Sequence, residues 1–171
     1  AAGVSAEQVE VGSEENGSQH GTGGARIAFY GKKNWWCRGG TADEMPVGGP
    51  GGPDTEVFYL FPEVAHDPAF GPHCHQNCDC GRFLEIGNSV FMEYRRTETG
   101  FEPLPRRNVD YGGGLARIAA ASMDSPDVFR IGLLWPIIAK LEELSGKAYE
   151  DETQAMRVIA DHLRGATFLA V

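Results

Sequence analysis

Three groups of residues in this 171-residue chain have the types and spacing to do chemistry. The first is Asn108-Val109-Asp110-Tyr111-Gly112-Gly113-Gly114-Leu115-Ala116-Arg117. Consecutive glycines weaken a strand and remove side chains, which suits a place where a ligand touches the backbone; a tight turn is the alternative. Arg117 falls in the first turn of a helix expected from about Leu115, where a cation opposes the macrodipole. The placement becomes favourable when a phosphate binds the helix start and the guanidinium together. An acid, a glycine turn and an anion-type arginine in one short run point to a nucleotide or amino-acid site. The second group centres on Asn88, in a strand expected over residues 83–95. Leu84, Ile86, Asn88, Val90, Met92 and Tyr94 share one face of that strand. Asn88 is the strongly polar member, and an inward amide needs a partner, either a ligand or an internal backbone hydrogen bond.

The third group is His73-Cys74-His75-Gln76-Asn77-Cys78-Asp79-Cys80, with His66 nearby. Zinc takes four nitrogen or sulfur ligands in a tetrahedron, and Cys74, Cys78, Cys80 and one histidine, taken as His73, could supply them. C-x3-C-x-C is not a standard knuckle spacing, and a loop of free thiols around a tight turn is the alternative. Cys37 stands alone with no base beside it. Without an export signal, reduced thiols or a metal fit this pattern better than disulfides, and the chain reads as cytoplasmic.

The elements that must position these groups run strands first, helices last, an α+β order. Residues 1–11 read as a short helix running into a strand, 10–24 as an exposed loop, and 25–30 as a short strand. An irregular Gly/Pro-rich segment over 31–53 carries Trp35 and Trp36. A strand over 55–61 precedes the Cys/His loop, and a strand through 108–111 leads into the glycines. Ser125-Pro126-Asp127 reads as a helix start capped by Ser125, Pro136 as a break or restart, Ser145-Gly146 as a stop, and Asp151-Glu152-Thr153 as the opening of the last helix. Asp161 and His162 are adjacent on that helix, about 100° apart, and do not form an acid–base dyad. No apolar run approaches the roughly 20 residues of a membrane span. The net charge of −9 excludes a protein that grips nucleic acid with its whole surface, though not a local contact by a few arginines. The chain starts without Met and stops within an apolar helical pattern, so both ends read as cut from a larger protein.

Phe83-Leu84-Glu85-Ile86-Gly87-Asn88-Ser89-Val90-Phe91-Met92-Glu93-Tyr94 and the run from Asn108 to Arg117 resemble the catalytic core of alanyl-tRNA synthetases, with the second run similar to class II motif 3. Asn34-Trp35-Trp36 followed by Gly48-Gly49-Pro50-Gly51-Gly52-Pro53-Asp54-Thr55-Glu56 resembles the family's Trp segment and GP-x-GP loop. Residues 157–164 match the helix that begins its tRNA-recognition region. The resemblance implies a partial class II antiparallel sheet, residues 1–124 with motif 3 at 108–117 and the Cys/His loop at 66–80. Residues 125–171 would be helices leading into tRNA recognition. By position it implies that Asp110 pairs with the ammonium of L-alanine and that Asn88 contacts its carboxylate. Trp36, Val90 and Gly112 would wall a methyl-sized pocket, with Trp35 in place of Trp36 if the register shifts by one. Arg117 would bind the phosphates of ATP, with Mg²⁺ on them, and tRNA(Ala) would be reached through the full-length enzyme. Two residues depart from the family pattern: Ala116 stands where Glu is usual and Gly87 where Trp is common. No candidate for class II motifs 1 and 2 occurs, so the chain alone is expected not to form alanyl-adenylate. The rival expectation is a non-catalytic synthetase-like module that binds tRNA, a protein partner or zinc.

Overall fold

The computed structural model describes residues 7–170, and it divides into two compact units meeting at Leu115/Ala116. The helix expected at the start of the chain lies outside the described residues, apart from the strand it runs into. The order of elements is α+β, as the sequence indicates.

The first unit begins with β1 (Gln8–Glu10), α1 (Glu14–His20) and β2 (Ile27–Phe29), with β1 and β2 paired in parallel. Helix α1 replaces the exposed loop expected over 10–24. Its seven residues have almost nothing apolar to bury, so no periodic signal betrays it. Caps and docking specify it instead. The Ser13 side chain accepts from Asn16 N, Glu14 and Glu15 occupy the positive end, and Gly21 ends the helix with positive φ. Gly17 is buried, and a Cβ there would come 2.9 Å from the His75 ring, so the helix can lie on the Cys/His loop only with glycine at this point.

The main sheet holds β3 (Trp35–Cys37), β4 (Pro50–Leu60), β5 (Phe83–Arg96) and β6 (Phe101–Gly113), antiparallel throughout and in chain order. β5 is the alternating strand read from the sequence. β4 starts five residues before the expected Thr55, inside the Gly/Pro-rich segment. Gly52 permits this: a Cβ there would fall 1.9 Å from the Phe91 carbonyl oxygen, where the β4–β5 register shifts. β6 starts well before the expected Asn108. Pro103 and Pro105 lie in its first half, which an edge strand tolerates because one row of its N–H groups has no ladder to join. Trp35 stacks on Tyr94 and meets Phe101 edge-on, while Trp36 is 38% exposed.

The second unit holds α2 (Leu115–Ser122) apart from its first residue, α3 (Trp135–Ser145) and α4 (Thr153–Ala170). Pro136 sits in the first turn of α3, and Gly146 closes it in the left-handed conformation. The cap expected at Ser125 is instead made by Asp127, whose carboxylate accepts from Phe129 N at the head of a single 3₁₀ turn. Ile138, Tyr149, Met156 and Ala160 form the core. Asp127 also accepts from Tyr149 Oη at 2.8 Å and pairs with Arg157 Nη2 at 3.1 Å, while Arg157 Nε donates to Tyr149 Oη at 2.7 Å.

One carboxylate thus satisfies a backbone N–H, a buried phenol and a guanidinium. Asp127→Ala leaves all three without it, a loss of about 1–3 kcal/mol. Thermal unfolding followed by circular dichroism is expected to show Tm lowered by about 5 °C or more; an unchanged Tm contradicts this role for Asp127.

Candidate functional site

The pairing of β4, β5 and β6 brings the sequence-predicted residues of the sheet together. Asn88 pairs with Gly112 on β6, and Val90 pairs with Asp110. Residues paired directly across antiparallel strands point to the same face, so these four share one surface. On the other side of β5, Val90 pairs with Asp54 and Asn88 pairs with Glu56. Val90, 3% exposed, is therefore flanked by a carboxylate on each neighbouring strand, with Asp54 and Asp110 about 10 Å apart at the backbone by strand spacing. A Cβ on Gly112 would sit 4.0 Å from Asn88 Oδ1, so glycine keeps the floor beside the amide low.

Asn88 Nδ2 donates to Asp54 Oδ2 at 3.2 Å. The partner that an inward Asn requires is thus a carboxylate 34 residues earlier, which is neither the ligand nor the backbone group weighed from the sequence. Asp54 is only 8% exposed, and its Oδ1 is buried without a hydrogen-bond partner among the described residues. Burial, helped by the charge of Glu85, pushes the Asp54 carboxyl above its ordinary range, more than its own backbone N–H, the hydrogen bond from Asn88 and the attraction of Lys33 pull it down. Glu56 is raised likewise, first by burial and then by the charge of Asp54. A face with two carboxyls held above their normal range favours a cation placed over it.

Asp54 is the residue that sequence reasoning missed. It stands in the GP-x-GP loop as one more polar residue, and its signal would have been its position opposite Val90 once β4 is extended back through Pro50. The remaining predicted residues are placed as follows. Trp36 lies on β3 opposite Gly52, and Arg117 lies in the first turn of α2, in the second unit. At Gly87, a Cβ would meet Tyr111 Oη at 2.6 Å, so the Tyr111 ring occupies the space a larger side chain would need.

In the Cys/His loop, the ligand atoms of His66, Cys74, Cys78 and Cys80 lie within 4.8 Å of one another. The histidine of this cluster is His66 and not His73, which is exposed, with its side chain beside Gly21. His75 is buried elsewhere, its Nδ1 3.0 Å from Tyr30 Oη. Burial pushes the Cys74 thiol up to about 12, whereas hydrogen bonds from His66 and the Arg82 backbone overcome burial at Cys80 and bring it down to about 7.

Residues 18–170 match the family model described as tRNA synthetases class II (A). The chain is 40% identical over 149 residues to an alanine–tRNA ligase of Treponema denticola, a match covering 84% of this chain and 23% of that protein. It is 41% identical over 132 residues to one of Desulfitobacterium hafniense, covering 74% of this chain and 15% of the relative. It is 40% identical over 153 residues to one of Desulfosudis oleivorans, covering 85% and 16%. The chain thus spans less than a quarter of the length of the curated relatives it matches. Among the described residues no helix is long and apolar enough to cross a membrane.

Stability should carry the imprint of the raised carboxyls. Because Asp54 and Glu56 bind protons more tightly folded than unfolded, they favour the fold at acid pH and oppose it as pH rises from the ordinary carboxylate range of about 4 through their raised values. Asp54→Asn removes its share of that penalty while still offering an oxygen to Asn88. Thermal melts at pH 4 to 7 are expected to give the variant a higher Tm at pH 7 and a flatter pH profile than the parent. A lower Tm at pH 7 contradicts the assignment.

Proposed function

The chain belongs to the class II tRNA synthetases (A), and from that premise we propose that it carries the amino-acid half of an alanine–tRNA ligase active site. In this reading the whole enzyme activates L-alanine with ATP to alanyl-adenylate and transfers it to tRNA(Ala). The observation that carries the proposal is the register that sets Asp54, Asn88, Val90, Asp110 and Gly112 on one face.

Each residue then has a task that its chemistry fits. Asp110 receives the alanine ammonium, and Asp54 adds a second negative charge on the far side of Val90. Asn88 offers an amide to the carboxylate. Its other contact, to Asp54, fixes its orientation. Val90 and Gly112 leave a shallow apolar floor that fits a methyl group, with Trp36 as the wall. Such a floor holds alanine but cannot reject the smaller glycine by more than the 1–3 kcal/mol a methylene is worth. Arg117 binds the ATP phosphates, and Mg²⁺, when bound, neutralises charge on them. Catalysis of this kind is positioning and charge stabilisation, so these side chains bind and orient without entering a covalent step.

We further propose that residues 1–124 belong to the catalytic domain and 125–171 to helices that lead into tRNA recognition. Class II motifs 1 and 2 are not recognisable in this sequence, so the chain by itself does not form the adenylate. A non-catalytic module that binds tRNA or a protein is the rival reading, favoured by Ala116 in place of the family's Glu.

A graft separates the two. Residues 18–170 replace the matching segment of the Treponema denticola ligase, and alanine-dependent ATP–pyrophosphate exchange is measured. The graft is expected to exchange, Asp110→Asn within it to lose about 100-fold or more in kcat/KM, about 2.7 kcal/mol of transition-state binding, and the 171-residue chain alone to show none. A well-folded but inactive graft favours the non-catalytic module, and robust exchange by the chain alone overturns the half-site.

A further inference from the structure

We propose that His66, Cys74, Cys78 and Cys80 bind one zinc ion that clamps the loop between β4 and β5. Cys74 Sγ lies 3.6 Å from Cys80 Sγ, and Cys78 Sγ lies 3.7 Å from His66 Nδ1. Zn–S bonds of about 2.3 Å and Zn–N bonds of about 2.0–2.1 Å make a tetrahedron with edges of about 3.5–3.8 Å. Two of the edges already have that length. The widest separation, 4.8 Å, needs to close by about 1 Å.

The surroundings orient the ligands as well. His66 Nε2 is 2.8 Å from the Gly71 carbonyl oxygen. An N–H donated there holds the ring with Nδ1 toward the thiols, so that once a metal displaces the Nδ1 proton its lone pair is directed at them, the arrangement typical of a metal-bound imidazole. Cys37, by contrast, lies far from this loop in sequence and donates to the Gly40 and Thr41 carbonyls. Three thiolates and an imidazole in a tetrahedron select zinc over the oxygen-seeking Mg²⁺ and Ca²⁺, and four protein ligands leave no open position, so the ion is structural.

The fold gives such an ion a task. Phe61 N donates to Arg82 O at 2.9 Å, which closes the neck of a loop spanning 62–81. Apart from one 3₁₀ turn at Pro68–Phe70, this loop has no regular structure, and a loop of such length needs something to hold it. The strands it joins are β4, which carries Asp54, and β5, which carries Asn88 and Val90. Zinc at this point would set the ends of both.

The test uses the 171-residue chain expressed without a tag and purified without chelator, with metal counted by elemental mass spectrometry. One zinc per chain is expected, and cobalt substituted for it should give the visible absorption of a tetrahedral thiolate site. His66→Cys keeps four ligands and should retain the metal, as should His73→Ala. His66→Ala should weaken zinc binding by more than the roughly 10–100-fold that loss of an outer-shell partner costs. Zinc well below one per chain in the parent after incubation with zinc overturns the proposal. So does loss of zinc in His73→Ala but not in His66→Ala.

Discussion

The register of β5 between β4 and β6 is the constraint on which the rest of the candidate site depends. Side chains alternate with a period of two along a strand, so a slip by one residue on either side would send Asp54 or Asp110 to the opposite face from Val90. No local interaction compensates for that. The two register shifts along β4 and β5 must therefore be built in, and glycine at position 52 is the residue that makes one of them sterically feasible. Buried Val90 anchors the middle of this arrangement, and the Asn88–Asp54 hydrogen bond ties it across to β4.

That same face holds an electrostatic tension. Asp54 is buried with one oxygen unpartnered among the described residues, and both it and Glu56 hold their protons more tightly than exposed carboxyls do. In a fold built for stability alone, Asn or Ser at position 54 would serve the same hydrogen bond more cheaply. A buried carboxylate with a spare oxygen is better matched to a site that receives a cation, where bound ligand supplies the missing partner. The second unit contrasts with this: Asp127 is equally central there, but its oxygens are taken by Phe129 N, Tyr149 and Arg157, and it reads as structural.

Legibility in the sequence followed the strength of the local signal. β5 is readable because its alternation runs unbroken, and alternation alone puts Asn88 with Val90 on one strand face and Asp110 with Gly112 on another; that the two pairs share a surface rests on the β5–β6 register, which chain order does not disclose. The first half of β6 was hidden by Pro103 and Pro105, and β3 by having only three residues. α1 was hidden because its only buried residue is a glycine. Asp54 escaped because its role rests on pairing across a register shift, which chain order does not disclose. The sequence offers His66, His73 and His75 to the cluster, and spacing does not say which of them reaches the thiols. The loop folds back to bring His66 to the thiols, while His73 N donates to Ser18 O.

Cross-strand nuclear Overhauser effects in the isotopically labelled chain test the central arrangement most directly. The account predicts Hα–Hα or HN–HN contacts between the facing pairs Asn88/Gly112, Val90/Asp110 and Val90/Asp54, depending on which pairs are hydrogen-bonded. Contacts displaced by one residue, such as Val90 to Val109 or Val90 to Thr55, would place a carboxylate on the opposite face and contradict it.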